Sequence, residues 1–190
     1  MRTPRQAVRA ARQQVNNVPG TCQFVVRGWL DAPSAGDFDG DGAADAEDGW
    51  KSEPLSARHT DRTGRPGFPA AFLGGSHDNG HRALFVAPGV LRSTDFDGAT
   101  KRYRAGHVGE GTVQEVADAM NVTYAGWSET IDGEKIPVPV KPKPHPITHA
   151  VTRVSAARVL LKAALKRARR KKNTDRAGLI QEMLDVDLDR

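Results

Sequence analysis

An acidic run and a lone cysteine are the two places where this 190-residue chain spaces side chains for chemistry. In the run, Asp37, Asp39 and Asp41 alternate with other residues, Gly42 stands sixth and Asp48 twelfth. Calcium is a hard cation that takes about six to eight oxygens, and a loop with this spacing turns at the glycine and closes its oxygens around one ion. The expected ligands are Asp37, Asp39, Asp41, the carbonyl of Ala43, Asp45 and Asp48. Without a cation these carboxylates repel one another, although a solvated acidic turn accounts for the same residues without a metal. Calcium held this way braces a structure, so reactive groups must lie elsewhere.

Cys22 follows the Pro19-Gly20 turn, at the expected start of an apolar helix. Unpaired backbone N–H groups and the helix dipole at such a position favour the nucleophilic thiolate. Taken alone, a cysteine beside Phe24 and Val25 more often fills a core. The stretch Gly80-His81-Arg82-Ala83-Leu84-Phe85-Val86 adds a histidine at the mouth of a strand. If Ala87-Pro88-Gly89 forms a three-residue hairpin loop, Val86 pairs with Val90 and His81 stands opposite Asp95, within hydrogen-bond reach. A two-residue loop shifts the register by one and turns Asp95 away. A thiolate, an imidazole and an orienting carboxylate are the parts of a cysteine acyl-transfer site. His59 with Asp61 is a second candidate base, but no strand pattern holds it. His77 and Asp78, in the turn before His81, and Trp127 fit either ordinary structure or the walls of a substrate groove.

The elements that must position these groups follow from periodicity and turn residues. Apolar spacing predicts helices over 4–17, from 21 or 22 to 30, over 46–51 beyond the acidic loop, and over 112–120. Strands are expected over 68–73, 82–86 and 90–94, the last two as a hairpin, with a short segment at 123–128. Residues 52–67 read as loop. Alternating prolines over 136–146 predict a semi-rigid polyproline linker. The expected architecture is α+β: N-terminal helices packed on a small antiparallel sheet over 1–137, a linker over 138–147, and a basic helical region over 148–190.

The order of cysteine at a helix start, Gly-His strand and polar residue on the next strand resembles the papain-like CHAP and NlpC-type cell-wall hydrolases. The chain is most similar to a group of actinobacteriophage lysin-like proteins. Their short motifs appear here as Gly67-Phe68-Pro69, Gly74-Gly75-Ser76, Gly80-His81, Ser93-Thr94-Asp95 and Gly126-Trp127-Ser128, within residues 15–137. The resemblance implies a papain-like fold with Cys22 as nucleophile, His81 as general base and Asp95 as orienting group. It also implies a phage-type peptidase or amidase acting on bacterial peptidoglycan. Many such domains carry Gln before the cysteine; Thr21 stands here, so no side-chain oxyanion donor is named. Phe72 stands where relatives often have Trp. The acidic loop, with Asp at its twelfth place, resembles a dockerin-type calcium loop more than a calcium sensor.

One cysteine excludes an intramolecular disulfide and a thiolate zinc site. No apolar run approaches the roughly 20 residues that span a bilayer. The basic N-terminus has no apolar core behind it and does not read as a secretory signal. That fits a virion component, or a protein of the host cytoplasm later released to the wall. The net charge of +5 is concentrated late: residues 150–172 carry nine Lys or Arg and no acid. Lys162, Lys166, Arg167, Arg169, Arg170, Lys171 and Lys172 are candidate contacts for a polyanion, such as a wall polymer, lipid headgroups or nucleic acid. The basic segment lacks aromatics, which argues against stacking on bases. The alternative to a hydrolase is a non-enzymatic virion, tail or assembly protein that keeps a CHAP-like shell and binds through its basic helix.

Overall fold

The computed structural model describes residues 1–33, 37, 44–75, 79–139, 159–167 and 180–181. The chain divides into two compact units, Met1–Pro139 and Val140–Arg190. In the first, helix α1 (Pro4–Gln13) starts on a proline, where the missing N–H costs nothing. Its Ala7 and Ala11, four apart and fully buried, form a smooth stripe against the core. Helix α2 (Cys22–Leu30) buries Val25, Val26, Trp29 and Leu30 and stops at Asp31, which turns left-handed at φ 54°. Helix α3 (Ala46–Ser52) is N-capped by Asp45, whose carboxylate accepts from Glu47 N–H and Asp48 N–H.

Strands β1 (Arg58–His59), β2 (Pro69–Leu73), β3 (His81–Ala87), β4 (Val90–Asp97) and β5 (Arg102–Thr112) follow. Helix α4 (Val113–Met120) and strand β6 (Thr123–Ser128) come next, then a small hairpin of β7 (Thr130–Ile131) and β8 (Glu134–Lys135). The main sheet is antiparallel in the order β1-β6-β2-β3-β4-β5. The α+β class is as expected. Strand β3 lies centrally, and all of it but Ala87 is buried, from His81 to Val86. Phe72, Phe85, Phe96, Leu84 and Leu91 fill the core with no exposed surface. Such close packing is what fixes side chains at a site in single rotamers.

Strand β1 falls within residues 52–67, expected as loop, and the β7–β8 hairpin lies outside the expected elements; two further elements also differ. Strand β5 has no apolar alternation and contains Gly106, Gly109 and Gly111, so its residues alone do not announce a strand. It forms because it pairs along β4 from Val90↔Thr112 to Asp97↔Arg102. Helix α1 ends four residues early because residues 15–17 bond to β5 instead: Val108 N–H donates to Val15 O at 3.1 Å, and Asn17 N–H to Gly106 O at 2.9 Å. An available sheet edge outcompetes one further turn of helix.

In the second unit, residues 159–167 are helical, and Leu165 and Ile180 bury against Leu161 and Ala164. Among the described residues no helix is long and apolar enough to cross a membrane.

Candidate active site

The start of α2, the start of β3 and the end of β4 open on one cavity of about 650 Å³, lined by Cys22, His81, Asp95, Tyr103, Met120 and Val122 among others. Pro19 and Gly20 break the chain so that Cys22 becomes the first residue of its helix. Thr21 does not cap that helix: its hydroxyl donates to Val18 O at 2.6 Å. The first-turn N–H groups are therefore left without a side-chain cap, and that of Gln23 reaches the Cys22 sulfur.

Burial pushes the Cys22 thiol up, against the lowering effect of backbone hydrogen bonds from Arg82 and Gln23, and the Asp95 charge adds to the rise. The helix start alone predicts the opposite direction. Desolvation is the largest effect although Cys22 is only half-buried, at the wall of the cavity. The His81 imidazole is enclosed, and burial lowers its pKa to about 4, with Asp95 pulling the other way. At neutral pH the pair is a thiol and a neutral imidazole, not an ion pair.

Asp95 does not orient His81 through a hydrogen bond. The hairpin turn has two residues, with Ala87 paired to Val90, which by itself shifts the register. An irregularity between Phe85 and Ala87 takes up one residue and restores pairing at Phe85↔Leu91 and Ala83↔Ser93. Asp95 then sits at a second irregularity, between Thr94 and Phe96, in the left-handed region at φ 54°. Its carboxylate accepts from Gly20 N–H at 2.9 Å, Gly106 N–H at 2.7 Å and Asn17 Nδ2 at 3.2 Å. It clamps the backbone just before Cys22. The His81 Nε2 instead meets the buried Ser93 Oγ at 2.7 Å. That is the imidazole's only hydrogen bond among the described residues, so no standing bond joins it to the sulfur. Catalytic contacts of this kind often tighten only with substrate bound.

Gly80 sets the entry to β3. It lies at φ +64°, and a Cβ there would come 2.6 Å from Phe72 O and 3.4 Å from Glu47 N. Helix α3 can approach His81 this closely only over a glycine.

Behind Cys22 and His81 lies a buried charge network that the sequence does not announce. Arg82, next to His81 and fully buried, donates to Glu53 Oε1 at 3.1 Å. Glu53 also accepts from Asp132 N–H at 3.1 Å, Gly133 N–H at 3.4 Å, Ser128 Oγ at 3.3 Å and Thr130 Oγ1. Gln23, next to Cys22, donates from Nε2 to Asp132 Oδ1 at 2.7 Å. Arg27 Nε lies 2.9 Å from Asp132 Oδ2, close in distance although its N–H does not aim at that oxygen. Burial raises the Asp132 carboxyl, with Arg82 and Arg27 opposing. Gly49 of α3 closes the network, since a Cβ there would meet Gln23 Nε2 at 2.5 Å and Arg82 Nη2 at 2.8 Å. The one signal in the sequence was an arginine inside the otherwise apolar run of β3.

Of the other expected site residues that are described, Asp45 lines the cavity and the rest lie elsewhere. Trp127 is buried, stacked on His59 at 4.0 Å and donating from Nε1 to Asp61 at 2.9 Å; it does not line the cavity. His59 and Asp61 are thereby committed to Trp127, and His59 also lies 3.4 Å from Glu129. Asp45 lines the cavity while capping α3, and Asp48 is buried, its Oδ2 accepting from Asp45 N–H at 3.3 Å. Asp37 is described; Asp39, Asp41 and Ala43 lie outside the described residues, as do His77, Asp78, Arg169, Arg170, Lys171 and Lys172. Lys162, Lys166 and Arg167 are exposed on the helix of residues 159–167.

The first unit is therefore an α+β domain in which a helix-start cysteine and a strand-start histidine share a cavity. Comparison with protein-family models, with curated proteins and with solved structures finds no match for the chain.

Proposed function

We propose that the chain is a cysteine-dependent hydrolase of phage type and papain-like (CHAP/NlpC) kind, cleaving a peptide or amide bond of bacterial peptidoglycan. The observation that carries this reading is the shared cavity of Cys22 and His81, with polar support for the imidazole on the neighbouring strand. His81 takes the thiol proton as the sulfur attacks the carbonyl carbon, so no thiolate need stand beforehand. The uncapped N–H groups at the start of α2 stabilise the oxyanion. Protonated His81 then gives its proton to the leaving amine, and water, activated by the neutral imidazole, releases the acyl group. Calcium bound at the acidic loop would brace α3, which packs on Gly80 and, through Gly49, on the charge network. Its carboxylates are hard oxygen donors of the right kind, and Asp45 and Asp48 each already accept a backbone N–H. The basic region would hold the enzyme on an anionic wall polymer or a virion tail partner.

The second reading is a virion or assembly protein that retains the shell without turnover, and the burial that keeps Cys22 a thiol favours it. Cell walls separate the two. Loss of turbidity and release of free amines by the native chain, abolished in Cys22→Ser and in His81→Ala, supports the hydrolase. Full activity in Cys22→Ser excludes the mechanism, and an inert native chain leaves the second reading.

A further inference from the structure

We propose that Ser93 is the positioning residue for His81: its hydroxyl holds the imidazole as the Nε2–H tautomer and leaves Nδ1 as the bare, basic nitrogen. The catalytic part of this statement rests on the hydrolase reading; the tautomer itself does not. Ser93 is fully buried and among the described residues its Oγ has two hydrogen-bond partners, His81 Nε2 at 2.7 Å and Thr94 O at 3.2 Å. A hydroxyl has one proton to donate, and a carbonyl oxygen can only accept. With the Ser93 proton on Thr94 O, Oγ must accept from His81, so Nε2 carries the ring proton. A neutral imidazole has one N–H, so Nδ1 keeps its lone pair. Burial keeps the ring neutral, which makes the choice of tautomer decide which nitrogen can act as a base. Asp95 is committed to Gly20, Gly106 and Asn17 and makes no bond to the ring. Two of the three polar residues of the Ser93-Thr94-Asp95 strand thus divide the work. Ser93 sets the proton on the base, and Asp95 sets the backbone that leads into the nucleophile.

The test is nitrogen NMR of the full chain with labelled histidine, assigned to His81 by loss of its signals in His81→Gln. In the native chain the Nε2 signal should be that of a protonated nitrogen and the Nδ1 signal that of a bare one. Ser93→Ala should mix the tautomers or reverse them, and Ser93→Thr, which keeps the hydroxyl, should restore the native pattern. A native ring protonated at Nδ1 overturns the proposal, and needs no variant to fold. So does a Ser93→Ala ring that is folded and unchanged. On cell walls, Ser93→Ala should lower kcat about tenfold with KM unchanged, the scale of one buried hydrogen bond. Native tautomers as expected in a chain that does not degrade walls would sink the hydrolase reading and leave the ring assignment standing. Wall degradation with Ser93→Ala at native kcat would leave the hydrolase reading standing and overturn the positioning role of Ser93.

Discussion

Replacing Glu53 by Gln tests whether the buried network behind Cys22 and His81 holds the domain together. The carboxylate accepts on both oxygens and is the partner of Arg82, with neither side chain exposed. The amide keeps the shape and one acceptor. Its NH₂ is best tolerated on the side of Ser128 and Thr130, whose hydroxyls can turn and accept, with loss of the long Gly133 N–H bond at 3.4 Å. What cannot be replaced is the negative charge. Removing one partner of a buried ion pair costs about 3–5 kcal/mol, and the nearby Asp132 should keep the loss at the lower end, about 3 kcal/mol. For a unit of this size 1 kcal/mol moves Tm by roughly 3–4 °C, so the midpoint should fall by about 10 °C. Tryptophan fluorescence reads this unit cleanly, since Trp29, Trp50 and Trp127 all lie in it. Pairing Glu53→Gln with Arg82→Met should recover much of the stability lost in Glu53→Gln, because no unpaired charge remains and the amide oxygen still accepts from the Asp132 N–H. A Glu53→Gln protein within about 1 kcal/mol of the native one would refute the reasoning.

Titration of His81 gives a second expectation. Its folded pKa of about 4 lies below the unfolded value of about 6.5, so the unfolded chain binds the proton first. Stability from this group is complete above about pH 6.5 and declines by about 3 kcal/mol toward pH 4. His81→Gln should flatten that limb of a Tm–pH profile, and an unchanged slope would count against a buried neutral ring. Because burial raises the Cys22 thiol, alkylation by iodoacetamide should be slow at pH 7 and speed up only in alkali; rapid reaction at pH 7 would show that an ion pair stands instead. Chelation should lower the melting temperature and calcium should restore it, by mass action on the folded state; an identical midpoint in excess chelator excludes a bound ion. A chain ending at Pro139 should fold and keep hydrolysis but lose salt-sensitive binding to anionic walls, and its failure to fold would show that residues 140–190 complete the first unit.

Periodicity and punctuation determined much of this protein. The Pro19-Gly20 break set the start of α2 and so put Cys22 at a helix N-terminus. The alternation after Gly80 placed His81 at the mouth of a strand, and the short segment marked out over 123–128 is a strand of those bounds. These are local signals, written within a few residues of where they act. Packing decided the rest. Strand β5 has no pattern of its own and exists by pairing with β4. The hairpin register depends on a two-residue turn and an irregularity whose effects cancel, and no local residue dictates that sum. Ser93 rather than Asp95 meets the imidazole, because a left-handed residue at 95 turns its carboxylate toward the backbone of Gly20. Glu53, Arg82, Gln23 and Asp132 lie far apart in sequence and meet only when α2, α3, β3 and the hairpin of β7 and β8 close on them. Buried charges must find partners wherever the fold brings them, and desolvation, which reversed the expected shift at Cys22, depends on every atom that shields the sulfur.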